Sequence, residues 1–221
     1  EDNFSKSNTL KDFVFQSGKS NAPKDTLLYK YTEVQDEIKS NISPYKEDSS
    51  GLLISDTFAL DSLGKYSEKY RRIMKQILDL KALDHGKIFV YHPNVQSTGT
   101  NLLASIFRAN GLIELDEMPT ETSICMDCNR SYKNHNCKSK SKLDLCDFVP
   151  VRFTIITGYI SKTTTANRLN QFNSPENSDG KRLKILLGSK AMRESHTLKA
   201  CRHLMVTHQP SSISELIQIV G

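Results

Sequence analysis

With 221 residues, the chain has room for one large domain or two small ones. Hydrophobic residues make up 37% and charged residues 25%, with no Trp, a polar balance that still supports a packed core and excludes a wholly disordered chain. The net charge of +5, from 30 basic and 25 acidic side chains, permits a polyanionic partner without demanding one. No apolar run approaches the roughly 18 residues of a membrane span, and no basic start followed by an apolar stretch marks a secretory leader. The chain opens on Glu1 and stops within the run Ile219-Val220-Gly221, the pattern expected of a piece of a longer polypeptide.

Residues 1–45 are polar and weakly patterned, with short apolar clusters at Phe13-Val14-Phe15 and Leu27-Leu28-Tyr29. They read as a connector or the edge of a neighbouring domain, and 46–221 as the main domain. Tyr66, Tyr70, Ile73, Ile77 and Leu80 recur at three- and four-residue steps, which predicts an amphipathic helix with Ser67 as a candidate cap. Ile88-Phe89-Val90-Tyr91 predicts a buried strand, and His92-Pro93-Asn94 a turn. Leu102, Leu103, Ile106 and Phe107 form a second helical stripe that Gly111 is placed to stop. Residues 114–150, with acidic residues, cysteines and many lysines, read as an insertion. Then come a strand at Phe153–Thr157, a helix over 161–172, a loop over 173–180, strands at Lys184–Leu187 and His203–Val206, and a last helix capped by Ser211 or Ser212. Strands alternating with helices predict an α/β domain with a mainly parallel sheet flanked by helices. The working surface of such a sheet lies at the carboxyl ends of its strands. Here those ends lead into His92 to Thr98, Gly158 to Thr163, Gly188 to His196 and Thr207 to Ser212.

Five cysteines stand at 125, 128, 137, 146 and 201, four of them within one short stretch. Such clustering, without a secretory leader, points to a reducing compartment and a metal rather than to a disulfide framework. Cys125-x-x-Cys128 is a zinc half-site, because a tight turn presents two thiolates to one tetrahedral ion. Cys137 and Cys146 are the expected second pair, with His135 as the substitute ligand. Free thiols and a redox role are the alternatives, and Cys201 reads as a small buried hydrophobe. Arg130, Lys133, Lys138, Lys140 and Lys142 around the cluster are either a basic knob for phosphates or an acidic partner, or simply a solvated face.

The order of these elements resembles the second RecA-like lobe of superfamily 2 helicases. Lys87-Ile-Phe-Val-Tyr-His92 resembles the opening strand and motif IV. Arg152-Phe-Thr-Ile-Ile-Thr-Gly158, Phe172-Asn173 and Asn177-x-x-Gly180 resemble the next strand, helix and loop. Leu183-Lys-Ile-Leu-Leu-Gly-Ser189 with Glu194 and Thr197-Leu198 resembles motif V. Gln209-Pro210 and Gln218-Ile-Val-Gly221 resemble the opening of motif VI. The phrases Val-Tyr-His-Pro-Asn, Phe-Asn-Ser-Pro-Glu-Asn and Gly-Ser-Lys-Ala-Met-Arg-Glu-Ser are similar to helicase-like ATPases of nucleocytoplasmic large DNA viruses. Within these they are nearest to the ATPase small subunits of poxvirus-type early transcription factors.

That resemblance implies a DNA-dependent ATPase whose ATP and Mg2+ lie between this lobe and an N-terminal RecA-like lobe outside the chain. It implies nucleic-acid contacts at His92, Asn94, Ser97, Thr98, Gly188, Ser189, Lys190 and Arg193, and nucleotide contacts at Glu194, Gln218 and Gly221. It also implies a second transcription-factor subunit and RNA polymerase as partners, with no membrane, and a place in the virion and the viral factories of the host cytoplasm. RNA is not excluded as the nucleic acid. Ordinary polar loops and an exposed helix position are the plain alternatives at these stretches. Ser195 stands where motif V commonly has Gly, and the arginines of motif VI would follow Gly221. Gly18-Lys19-Ser20 resembles the tail of a phosphate loop, but Phe13 holds the place of its first Gly. Leu115-Asp116-Glu117 lacks a strand pattern leading into it and so does not read as a magnesium box. The chain alone is therefore expected not to hydrolyse ATP. A non-catalytic zinc-bearing scaffold that recruits transcription machinery, and a replicative or termination helicase, are the competing functional readings.

Overall fold

The computed structural model describes residues 46–47, 53–81, 85–95, 99–135, 147–192, 196–210 and 212–220. The expected connector over 1–45 lies outside these residues. Two compact units are drawn from Glu1–Lys75 with Asn94–Ala109, and from Gln76–Pro93 with Asn110–Gly221.

In the first unit, β1 (Lys46–Glu47) pairs antiparallel with β2 (Leu53–Ile54). The Ser55 hydroxyl caps a 3-10 turn, Asp56–Phe58, by accepting from the Thr57 N–H at 3.2 Å. A short α1 (Leu60–Leu63) follows. α2 (Glu68–Leu80) starts where the spacing places it, because the Ser67 hydroxyl accepts the Tyr70 N–H at 3.2 Å and satisfies one orphan donor of the first turn. α3 (Thr100–Ala109) packs against β2 and the 3-10 turn. Phe58, Leu63, Tyr70, Met74, Leu103, Ile106 and Phe107 are fully buried, so the helical spacing does mark the core face.

Glu68 sits in the first turn of α2 with bidentate Arg71 (2.6 and 2.7 Å) and with Arg72 (2.8 Å). Hydrogen bonds from Arg71 and then Arg72 hold its carboxyl down at about 2, from 4.5. A depressed carboxylate stabilises the fold above its unfolded value and loses that contribution as pH falls through the folded one. Glu68→Gln should therefore lower the urea midpoint slightly at neutral pH. The gap to the parent should close between about 4.5 and about 2. The cluster is solvent-exposed, so the effect stays small and shrinks with salt.

The second unit holds a five-stranded sheet of order β4-β5-β6-β3-β7, with every pairing parallel. Its strands are β3 (Lys87–Tyr91), β4 (Ile113–Glu114), β5 (Arg152–Ile156), β6 (Ile185–Gly188) and β7 (Cys201–Val206). The three central strands β5, β6 and β3 are almost wholly buried, which explains why they read as unbroken apolar runs. α4 (Lys162–Asn173) is capped by the Ser161 hydroxyl, which accepts the Thr164 N–H at 3.1 Å. Its Leu169 and Phe172 pack with Phe89, Tyr91, Ile156, Leu183, Leu186 and Met192. α5 (Ile213–Val220) is capped by Ser212, whose hydroxyl accepts the Glu215 N–H at 3.1 Å, and its Ile219 joins the same cluster.

One strand departs from the sequence reading. β4 runs directly into Leu115-Asp116-Glu117, where no strand was expected, because two residues are too few to show a period. The Arg152 guanidinium holds this turn by donating to the carbonyls of Glu114, Leu115 and Glu117 at 3.2, 2.8 and 2.7 Å. Arg168 donates to Glu114 at 3.0 Å from the α4 side. Among the described residues no helix is long and apolar enough to cross a membrane.

Candidate functional site

Ladder bonds extend past the strand ends at the carboxyl edge of the sheet. His92 N–H donates to Gly188 O (2.9 Å), Ser189 N–H to Ile156 O (3.1 Å) and Thr207 N–H to Tyr91 O (3.0 Å). The first residue of each outgoing loop is thereby fixed in register with its neighbour. The Thr207 hydroxyl also donates to Tyr91 O at 2.9 Å and lies 3.1 Å from His208 Nδ1, which directs the Nδ1 proton toward the hydroxyl oxygen. The His208 ring meets the His92 ring edge-on, 4.5 Å apart and at 81°.

Of the residues expected to touch nucleic acid, His92, Gly188, Ser189 and Lys190 lie at this edge. His92 is fully buried and Ser189 is 2% exposed. The Ser189 hydroxyl accepts from the Ala191 N–H at 3.4 Å, and its carbonyl accepts from Met192 at 2.8 Å, which winds the 3-10 turn Lys190–Met192. Gly188 must be small for a packing reason. A Cβ there would lie 2.7 Å from both Met192 Cγ and Phe89 Cε2. Lys190, on the same turn, is exposed. In the first unit, Asn94 is half-buried, and its carbonyl accepts the Thr100 N–H at 3.0 Å. Gly99 approaches that carbonyl so closely that a Cβ would stand 2.3 Å from the oxygen. On α5, Gln218 is exposed. Ser97, Thr98, Arg193, Glu194 and Gly221 lie outside the described residues.

The Asn177 loop is a part of this unit whose importance the sequence reading understated. Asn177 is fully buried and makes four bonds. Its amide donates to Phe172 O (3.1 Å) and Leu183 O (3.0 Å), and its oxygen accepts from Arg182 N–H (3.1 Å) and Leu183 N–H (2.8 Å). Asn173 similarly holds the segment that leads into β7, donating to Thr197 O and accepting from Lys199 N–H, both at 2.7 Å.

The cysteine stretch forms a knuckle. Ile124 bridges Ser131 and Cys125 bridges Pro150, both antiparallel, so the loop is tied on two sides. Between them Cys125 N–H donates to Arg130 O (2.9 Å) and Asn129 N–H to Cys125 O (3.3 Å). Asn129 adopts φ 63, a left-handed conformation that Asn tolerates better than most residues. The turn places Cys125, Cys128 and His135 with their ligand atoms within 4.8 Å of one another. His135 ends the 3-10 turn Tyr132–Asn134, and Phe148 meets its ring edge-on at 5.1 Å. Burial pushes the Cys125 thiol up, but the amides of Cys128, Val149 and Asp127, aided by the Cys128 side chain, pull it further down, to about 7.

Lys81, just beyond α2, is 2% exposed and donates to Met126 O inside the knuckle at 2.8 Å. Burial lowers its pKa, while Cys125, Asp127, Cys128 and Asp79 act to raise it. Sequence reasoning missed Lys81 because 45 positions separate it from its acceptor. Cys137 and Cys146 lie outside the described residues. So do Lys138, Lys140 and Lys142, while Arg130 and Lys133 are exposed and Lys133 pairs with Glu121 at 3.0 Å. Cys201 is half-buried against the sheet core, donates to His203 O at 3.4 Å, and is pushed up by burial.

No protein-family model matches the chain. Among curated proteins it is similar to the early transcription factor large subunit homolog of African swine fever virus (isolate Warthog/Namibia/Wart80/1980). The two are 32% identical over 182 residues, 82% of this chain and 16% of that relative. It is also similar to the early transcription factor 70 kDa subunit of Melanoplus sanguinipes entomopoxvirus, 29% identical over 159 residues, 70% of this chain and 22% of the relative. The vaccinia virus (strain Ankara) 70 kDa subunit is 28% identical over 155 residues, 70% of this chain and 20% of the relative. The chain thus spans between 16% and 22% of the length of these relatives. Over most of its own length, the chain is a homologue of viral proteins named as subunits of an early transcription factor.

Proposed function

We propose that the chain is the second RecA-like lobe of a DNA-dependent ATPase that serves as a subunit of a viral early transcription factor. The observation that carries the reading is the 32% identity over 82% of the chain to a viral protein named as an early transcription factor subunit homolog. The parallel sheet is consistent with it, since loops at the carboxyl ends of such strands are where these folds bind ligands. In this reading the parent polypeptide acts with a second factor subunit and RNA polymerase on viral promoters, in the virion and in cytoplasmic factories.

The described residues divide the work as follows. Lys190 presents an exposed cation to the nucleic-acid backbone, and buried His92, Gly188 and Ser189 hold the edge on which it stands. Gln218 presents an exposed amide toward nucleotide from α5. Among the described residues no phosphate loop and no arginine of motif VI is found. In this reading ATP and Mg2+ would lie between this lobe and another lobe of the parent, and ATP hydrolysis would supply the energy for stepping along DNA.

The test is ATP hydrolysis by the full-length parent polypeptide, with and without duplex DNA. Turnover should rise with DNA, and Gln218→Ala should lower the stimulated kcat by about 10-fold or more. Lys190→Ala should weaken DNA binding across all sequences and reduce the slope of log K against log salt by about 1. Absence of turnover on any nucleic acid would sink the motor reading and favour the scaffold.

A further inference from the structure

We propose that Cys125, Cys128 and His135 bind a zinc ion, and that buried Lys81 positions the loop carrying the two cysteines through its bond to the Met126 carbonyl. The proposal is independent of the motor reading.

Three observations carry it. The first is convergence: two sulfurs and one imidazole nitrogen lie within 4.8 Å of one another. Ligands around a tetrahedral ion, at about 2.3 Å for sulfur and 2.0–2.1 Å for nitrogen, stand about 3.5–3.8 Å apart, so side-chain adjustment of up to about 1 Å closes the set on the ion. The second is the backbone. The left-handed Asn129 and the Cys125–Arg130 bond fold the two-residue gap so that both thiols emerge on one side. The third is Lys81. A buried ammonium is costly without a hydrogen-bond partner. Its ammonium donates to the carbonyl of Met126, the residue after Cys125, and so ties the cysteine turn from outside the ligand set. A zinc ion with two thiolates and one neutral imidazole carries no net charge, so the cluster can be buried. A mixed sulfur and nitrogen ligand set favours zinc over harder cations.

The ion would also do mechanical work. Among described residues the knuckle buries few large side chains, chiefly Met126 and Val149. A metal would fasten it to the end of α2 through Lys81 and to β5 through the Cys125–Pro150 bridge, supplying order that apolar burial does not.

The test uses the full chain purified under reducing conditions, with zinc measured by elemental analysis and cobalt(II) as the spectroscopic probe. The parent should hold about one zinc, and its cobalt form should show tetrahedral d–d bands with thiolate charge transfer. Cys125→Ser, Cys128→Ser and His135→Ala should each lose most of the metal, whereas Cys201→Ser should keep it. Lys81→Met should weaken zinc affinity by about 10- to 100-fold in a chelator competition, and Lys81→Arg should restore most of it, as expected of a group just outside the ligand shell. Chelation should open residues 120–150 to protease while the sheet stays intact by circular dichroism, which separates metal loss from global unfolding. A metal-free parent that does not take up zinc would overturn the proposal. So would four thiolates in the cobalt spectrum with metal retained by His135→Ala, or a disulfide between Cys125 and Cys128 under the same conditions.

Discussion

Replacing Asn177 with Leu should cost the fold about 4 kcal/mol. Leu has the same branched skeleton and is no smaller, so none of the loss comes from a cavity. It comes from the four main-chain groups that lose a partner. The Phe172 carbonyl keeps Lys87 as a second donor, and the half-open Arg182 amide can turn to water. The Leu183 N–H and carbonyl, in a fully buried residue, have neither escape. An orphaned buried polar group costs about 1–3 kcal/mol, and two such groups set the size of the effect. For a domain of this length that corresponds to a fall in Tm of roughly 8–16 °C. Asn177→Asp keeps the accepting oxygen but sets a buried carboxylate oxygen against both carbonyls, so it should cost at least as much as Asn177→Leu in urea denaturation at neutral pH. A loss under about 1 kcal/mol for Asn177→Leu would show that the loop rearranges and that the side chain does not organise it.

Phe172→Ala should cost about 3–5 kcal/mol, the range for truncating a fully buried aromatic ring. This ring does more than fill space. The Lys87 ammonium stands 4.4 Å from its centroid and also donates to the Phe172 carbonyl. Lys87 is itself fully buried, so ring and carbonyl together replace the water that its charge has lost. A double-mutant cycle with Lys87→Met should therefore give a coupling of about 1–2 kcal/mol. Burial lowers the Lys87 pKa, and the Cys201 thiol opposes this only in part. A lysine whose folded pKa is depressed releases its proton in the native state first. The parent's stability relative to Lys87→Met should thus rise with pH, from the lowered folded value up to 10.5. An additive cycle and a flat pH profile would reduce Phe172 to an ordinary packing residue.

The elements legible in the sequence were those whose burial leaves a periodic trace. β3, β5 and β6 are covered on both faces and read as apolar runs, and Ser67 and Ser212 announce helix starts through a hydroxyl at the right offset. β4 was illegible because two residues carry no period. β7 starts two residues before its apolar run, at Cys201-Arg202, because an edge strand can expose Arg202. At the cysteine knuckle the spacing of Cys125 and Cys128 was readable, since the turn is local. The promotion of His135 from substitute to immediate neighbour was not, because it depends on the Ser131–Ile124 bridge and on Phe148 behind the ring. Lys81, Arg152 and Asn177 act through main-chain carbonyls far along the chain, a kind of contact that leaves no residue pattern.

The strand order also bears on how the protein is made. β3, which lies between β6 and β7, is the first strand of this sheet to leave the ribosome, yet both of its partners are synthesised about a hundred residues later. At roughly 5–20 residues per second it waits on the order of 5–20 s with an all-apolar Ile-Phe-Val-Tyr run unpaired. Parallel pairing at such separation is slow to close and exposed to aggregation meanwhile. Nascent chains halted between β5 and β6 should thus be caught by holdase chaperones, and those halted after β7 released. The long middle of this sequence, insertion included, is time during which the centre of the sheet needs an escort.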